Sequence, residues 1–338
     1  MRKTIFAFCA AAVLVPYVTT LAWSGGKKTG GAGAVAASGL AGGAGNSAVT
    51  GNAGGAGIFA GAENAAGANA AAPAQRFVIL DRGAGGESQV DVEEYLIGLV
   101  ACQIPAEYEL ETIKAQAVLA RTHIYKQMGA SGAVMESALD VDYEEPQNLG
   151  VEVYRRICEA VQATRGLVIR YDGELIDPLF HRVSAGSTRE GGALRPYLQP
   201  AECENDYASP DFLHEFSWTK EELAVKLNGI TGAAGGMTVR PEELPQVMQV
   251  AEKDGAGYVT AMQIGAAIFT GEEVQFALGL PSSCYVFGEE DGRVTCTVKG
   301  SGHGYGFDQY GANERAKEGW SFEELIHFFF ENIVLISE

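Results

Sequence analysis

No run of lysine or arginine breaks the acidic character of this 338-residue chain, in which 24 basic residues face 43 acidic ones for a net charge of −19. A surface of that sign is repelled by phosphate backbones and anionic lipid. Nucleic acid is excluded as a partner, and any membrane contact falls to an apolar segment. No Cys-x-x-Cys pair occurs among the six cysteines, which excludes a zinc ribbon and a thioredoxin-like motif. Cys9 lies in an apolar stretch, and the odd five that remain do not build a disulfide framework. Cys284 and Cys296 sit in two short strand-like runs, where a bridge across a hairpin and a pair of buried thiols both stand open. No His-Glu-x-x-His motif joins the five scattered histidines, and no Gly-x-Ser-x-Gly elbow or Gly-Lys-Ser/Thr loop is present. Metal-dependent proteolysis, α/β-hydrolase chemistry and phosphate cradling drop out together.

What is present falls into three regions. Residues 1–23 place Arg2 and Lys3 before an apolar run from Ile5 to Trp23, long enough to cross a bilayer as a slightly short helix. No Ala-x-Ala-like cleavage signal precedes Ser24, so an uncleaved signal anchor is expected over a removed signal peptide. Lys27 and Lys28 balance Arg2 and Lys3, and loop charge alone barely discriminates topology. Residues 24–75 are nearly all Ala, Gly, Ser and Asn, with Phe59 the one aromatic. Such a stretch buries too little apolar surface to offset ordering and is expected to be a flexible linker, its ends roughly 40 Å apart. Residues 76–338 hold the periodic segments and every candidate site.

In that third region Arg76–Leu80 reads as a strand. Asp91–Cys102 reads as a helix with Asp91 as N-cap and Pro105 as its bound. Leu110–Met128 and Val151–Thr164 read as further helices. Leu167–Tyr171 and Glu174–Ile176 flank Asp172 and Gly173, a tight-turn pair, and so form a hairpin. Asp291 and Gly292 likewise separate short strands at Val286–Phe287 and Val294–Val298. Helices are expected over Phe307–Lys317 and Phe322–Phe330, the second with Ser321 and Glu324 as a capping box. Without a βαβ rhythm the fold is expected to be α+β, with mixed helices and short β-hairpins around a cleft.

Three segments concentrate polar groups. On the second helix Lys114, Gln116 and Arg121 interrupt an apolar sequence, and Lys114 and Arg121, seven apart, share a face. A ligand-contacting row and a solvated helix face both fit that pattern. The segment Phe180–Thr188 brings His181, Ser184, Ser187 and Thr188 together after a strand. Gly300–Ala312 has glycine at alternate positions with His303, Gln309 and Tyr310, a composition that fits both a surface for a neutral polar polymer, approached closely by backbone, and a merely structural glycine-rich turn.

Together these segments resemble the stage II sporulation protein D (SpoIID/LytB-domain) family. The resemblance rests on Glu94, Gly98, Ile104 and Pro105; on Lys114, Gln116, Arg121 and Thr122; and on His181, Ser184 and Thr188. It extends through Pro196–Leu198 and Thr270–Ser283 to Gly302–Gly306, Gln309–Ala312 and Gly319. It implies an extracytoplasmic, membrane-tethered domain handling peptidoglycan glycan strands, beside a cell-wall amidase. The activity it implies is lytic transglycosylation, in which one carboxylic acid protonates the glycosidic oxygen and the muramyl C6 hydroxyl attacks to leave a 1,6-anhydro end. That chemistry needs no water nucleophile, unlike paired-carboxylate glycosidases. The substrate groove it implies contains Lys114, Gln116, Arg121, His181, Ser184, Thr188, His303, Gln309 and Tyr310. The chain departs from the pattern at the proton donor, where Gln103 stands for the family's Glu; an amide has no proton to give at neutral pH. Some relatives bind zinc near His181, but Ser187 and Ala193 stand six and twelve residues on, so no metal and no other cofactor are expected. Either another acid among Glu94, Glu107, Glu109 and Glu111 substitutes for the missing one, or the chain is a non-cleaving glycan binder or amidase enhancer.

Overall fold

The computed structural model describes residues 75–338 apart from 82, 84–85 and 233–235. The expected signal anchor and nearly all of the linker lie outside them. Among the described residues no helix is long and apolar enough to cross a membrane.

The chain opens with antiparallel β1 (Phe77–Asp81) and β2 (Glu87–Asp91). Asp91 ends β2 and caps α1 (Val92–Gln103), its carboxylate accepting from Glu93 N at 2.9 Å. Ile104 is extended, as the following Pro105 requires, and α1 stops there. After α2 (Leu110–Met128), β3 (Ala133–Met135) returns to pair in parallel with β1. Then come α3 (Val151–Ala163) and the hairpin β4 (Leu167–Tyr171) and β5 (Glu174–Leu175), whose turn residues Asp172 and Gly173 both have positive φ.

A short β6 (Phe180–His181) leads through a long loop into β7 (Leu213–Trp218), α4 (Lys220–Thr231), the meander β8 (Met248–Lys253), β9 (Val259–Ile264) and β10 (Ala267–Phe269), and α5 (Gly271–Leu278). Thr219 and Thr270 form capping boxes with Glu222 and Glu273 at the two helix starts. The hairpin β11 (Tyr285–Glu290) and β12 (Arg293–Lys299) adds to β7. The last elements are β13 (Phe307–Asp308), α6 (Gln309–Lys317), α7 (Phe322–Phe329) and β14 (Val334–Ser337), which pairs with β4. Seven α-helices and five small sheets, with parallel pairing confined to β1–β3 and β6–β13, make the described residues a mixed α and β fold.

Helix α2 organises the interior. Ile113, Ala117, Ala120 and Ile124 pack with α1, α3 and β1, while Ala115, Val118 and Leu119 pack with Phe307, Leu325 and Phe329 on its other side. A helix buried on both faces has little amphipathic contrast. A separate core gathers residues of β7 to β12, among them Leu223, Met262, Val274, Tyr285 and Val294.

One expectation is corrected here, and one alternative that the sequence left open is decided. Phe307 and Asp308 do not begin a helix: they run parallel to Phe180 and His181, with Phe307 N bonded to Leu179 O at 2.9 Å, and the helix starts at Gln309. Cys284 and Cys296 are free thiols. The register sets Cys296 opposite Phe287 and buries it, while Cys284 Sγ donates to Gly257 O at 3.4 Å.

Candidate functional site

The end of α1, the first turns of α2 and the start of α6 meet at Gln103. Gln116 Nε2 donates to Gln103 Oε1 at 2.8 Å. Gln309 Nε2 donates to Gln116 Oε1 at 3.1 Å and to the main-chain O of Gln103 at 2.8 Å. Gln116 and Gln309 are buried and Gln103 is half-buried, so Gln103 is the member of this amide network that reaches solvent. Nearby, Asn313 Oδ1 on α6 accepts from Glu109 N at 2.7 Å.

None of the four proposed substitute acids hydrogen-bonds to the Gln103 side chain among the described residues. Glu111 is committed to Lys114 Nζ at 2.6 Å and Phe322 N at 2.9 Å; Glu94, Glu107 and Glu109 are exposed. Lys114 therefore stands one half-turn from Gln116 as half of an ion pair. Two surface depressions, of about 380 Å³ beside Tyr207 and Glu314 and about 660 Å³ along α3, are lined by other residues than Gln103.

Arg121 corrects the expected groove. It is fully buried, its Nε and Nη2 each 2.7 Å from the two carboxylate oxygens of Glu93, and its remaining donors reach Leu167 O and Val161 O at 3.2 Å. This fork ties α1, α2, α3 and β4 together and leaves no donor for a ligand. Thr188 is likewise internal, accepting from Ala201 N at 2.8 Å and donating to Gln199 O at 3.3 Å.

The second and third polar segments are zipped together by β6 and β13 and by the Val183–Ser301 bridge. The alternate glycines serve this contact. A Cβ on Gly302 would lie 2.6 Å from His181 Cβ, and one on Gly306 would lie 2.2 Å from Leu179 O, both at positive φ. They let one piece of backbone approach another, so at Gly302 and Gly306 the structural of the two open readings holds. His181 and His303 rings lie 5.8 Å apart. Burial, with the neighbouring His181 and Arg189, pushes His303 down to about 3, and its Nδ1 accepts from Tyr305 N at 3.0 Å. His181 donates from Nδ1 to Tyr305 O at 3.1 Å, leaving a buried Nε2 without a partner among the described residues. One nitrogen is no zinc site: Ser187 Oγ turns to Thr188 O at 3.2 Å, and Ala193 has no donor atom. The residues present do not fit the zinc of some relatives.

Sequence reasoning missed several groups. Arg189 is buried between the Tyr258 and Tyr305 rings, at 4.8 and 4.4 Å, and bonds Asp254 at 2.5 Å, Glu272 at 2.9 Å and His303 O at 3.2 Å. Ser184 Oγ donates to Asp206 at 2.5 Å, and Asp206 adjoins Asp308. Tyr108 is pushed up to about 12 by burial and stays a donor at neutral pH, close enough to Arg182, Asp308 and Tyr310 to feel their charges. Tyr310 N donates to Arg182 O at 3.0 Å. Arg189 and Asp206 fall in loop sequence without periodicity, and nothing short of the folded chain marks them.

Gln103, Gln116 and Gln309, carried by α1, α2 and α6, meet at one point, and the sequence that carries them is similar to known proteins. The family model described as "Stage II sporulation protein" matches residues 83–171, and the chain is similar over most of its length to proteins named stage II sporulation protein D. It is 29% identical over 265 residues to stage II sporulation protein D of Bacillus subtilis (strain 168), covering 72% of this chain and 73% of that one. Against stage II sporulation protein D of Bacillus amyloliquefaciens it is 28% identical over 272 residues, covering 72% and 74%. It is also 23% identical over 296 residues to a protein named amidase enhancer of Bacillus subtilis (strain 168), covering 72% of this chain and 40% of that one.

Proposed function

We propose that this chain is a sporulation protein of the cell wall that holds peptidoglycan glycan strands without cutting them. Its domain is carried outside the membrane by the N-terminal anchor and linker, and it serves a wall amidase by presenting strands. The relatives named for sporulation and for amidase enhancement support the setting. One observation carries the loss of cleavage: the group at the proton-donor position is an amide whose side-chain oxygen is hydrogen-bonded by another amide, with no carboxyl group joined to it among the described residues. A general acid must stand within about 2.6–3.2 Å of the oxygen it protonates. Gln103, at the position that the resemblance assigns to this acid, has N–H donors and an acceptor oxygen but no acidic proton, and a neutral amide recognises a sugar hydroxyl or acetamido carbonyl without reacting.

The test uses the full-length chain and glycan strands stripped of stem peptides. Binding is measured by co-sedimentation, and 1,6-anhydro ends are sought by mass spectrometry, with Gln103→Glu beside the natural chain. The natural chain is expected to bind and yield no products. Gln103→Glu is expected to yield them, because a near-isosteric carboxyl group at this position restores a group that can carry and give a proton. Anhydro ends from the natural chain, or no binding by it, would sink the reading.

A further inference from the structure

Asp206 and Asp308 are both fully buried. Asp206 sits in the 3-10 turn Glu204–Ala208, and Asp308 is the last residue of β13 and the N-cap of α6. Their carboxyl oxygens and the Cys203 sulfur lie within 4.8 Å of one another. Gly311 makes room for the pair: a Cβ there would fall 3.1 Å from Asp206 Oδ1 and 3.1 Å from Asp308 Oδ2. Asp206 Oδ2 accepts from Ser184 N at 2.9 Å and Ser184 Oγ at 2.5 Å. Asp308 Oδ1 accepts from Gly311 N at 3.1 Å, and its Oδ2 receives Ser184 N at 3.4 Å. Asp206 Oδ1, also buried, has no hydrogen-bond donor among the described residues.

Among the described residues no cation pairs with these two carboxyl groups: Arg182, on the strand side, turns its guanidinium to Asp211 at 2.9 Å. His181, beside Asp308 across the two strands, is kept neutral by burial. Burial likewise keeps the Cys203 thiol protonated, and the Tyr108, Tyr258 and Tyr310 hydroxyls are all shifted upward. Arg315, the nearby cation on α6, spends its guanidinium on Gly311 O at 3.1 Å and Glu202 O at 2.7 Å and stacks on Phe328. Two carboxyl groups this close and this dry do not both ionise.

We infer that Asp206 and Asp308 share one proton, donated from Asp206 Oδ1 to Asp308, and that this acid–carboxylate pair seats the first turn of α6, positioning Gln309 against Gln103 and Gln116. The proton is the donor that Asp206 Oδ1 lacks. Burial first, and then the neighbouring Asp308, raise Asp206 far above the ordinary carboxyl range. The sign follows from linkage. A carboxyl group whose folded-state pKa exceeds its unfolded value stabilises most below the unfolded value, about 3.9. That contribution declines as pH rises and is gone above the folded value, so the seat of α6 loosens in alkali. An ionised pair repels, Asp308 moves off the α6 N-terminus, and Gln309 leaves Gln103 and Gln116.

The stability effect is independent of the proposed function; the effect on glycan binding rests on it. Thermal melts of the full-length chain and of Asp206→Asn between pH 6 and pH 10, together with infrared difference spectra, test the pair. The substituted amide would keep a donor toward Asp308 and an acceptor for Ser184 while removing the titrating group. The natural chain is expected to lose about 5 °C or more toward alkali and to show a buried neutral carboxyl band at pH 7. Asp206→Asn is expected to melt with a flatter pH dependence and to lose the band. Equal slopes, no such band, or a metal ion retained at one per chain on elemental analysis would overturn the shared proton. Glycan co-sedimentation at the two pH extremes tests positioning: binding is expected to fall in alkali for the natural chain and to persist for Asp206→Asn. A parallel fall in both would overturn it. Should the natural chain bind no glycan at any pH, the proposed function fails while the melts and spectra still decide the pair.

Discussion

Glu93, near the start of α1, and Asp206, in the turn before the β7–α5 excursion, are both acids held in the interior, and their surroundings answer them differently. Glu93 meets a guanidinium squarely, each carboxylate oxygen 2.7 Å from a nitrogen of Arg121, with Gly166 N added at 3.3 Å. Asp206 meets a second acid and the hydroxyl and amide of one serine, Ser184. In the first region charge is cancelled by opposite charge, in the second by a proton. At Gln103, the position that the resemblance assigns to a proton donor, the side chain is an amide and carries no charge to cancel. The difference teaches that polar residues of one motif set need not share a task. Arg121 and Gln116 sit on the same helix, yet the first staples the scaffold and the second addresses the site.

The comparison breaks most visibly at Arg121. Arg121→Ala strands a carboxylate in the interior and is expected to cost about 3–5 kcal/mol, read as a lowered denaturation midpoint, with glycan binding intact in whatever fraction stays folded. Arg121→Lys is expected to recover part of that loss, since one ammonium cannot reproduce the bidentate fork. If Arg121→Ala instead left stability untouched and abolished glycan binding, the assignment of Arg121 to the scaffold would be wrong. Gln116→Ala is a smaller probe. It removes one donor and one acceptor from the amide network, for about 1 kcal/mol of stability, but it frees Gln103 and is expected to weaken co-sedimentation several-fold. Smallest is Lys114→Ala, which dissolves a half-buried pair with Glu111, whose carboxylate keeps Phe322 N, and is expected to change stability by about 0.5 kcal/mol; a thermal melt checks it.

Much of the fold was legible because local signals agreed with one another. Asp91, the Asp172–Gly173 turn and the Ser321–Glu324 box each act within a few residues, and the elements they bound lie where the pattern placed them. The meander was not legible. In β8 only Met248 is buried, so the strand carries no apolar alternation to read. The start of α6 misled for a different reason: Phe307 and Asp308 suit a helix locally, but the glycine-laced approach presses them against β6 first. At the site, the motif residues that converge on Gln103 could be named in advance because the family resemblance ties their segments together. Arg121 could not be placed, since its partner stands 28 residues earlier on another helix. Asp206 could not even be nominated, because its significance exists only once Asp308 is folded against it.

The last residue of the chain also closes a circuit. Glu338 accepts from Arg76 Nη2 at 2.8 Å and from Arg170 Nε at 2.9 Å, while its backbone N bonds Gly166 O at 2.9 Å. The first and last stretches of the described fold are thus clasped at one point. In mechanical terms, tension pulling residue 76 away from residue 338 would first meet two half-buried ion pairs and the β14–β4 ladder, well before it reached the α2 core. A handle fused after Glu338 would load or loosen that clasp and leave Gln103 unstrained.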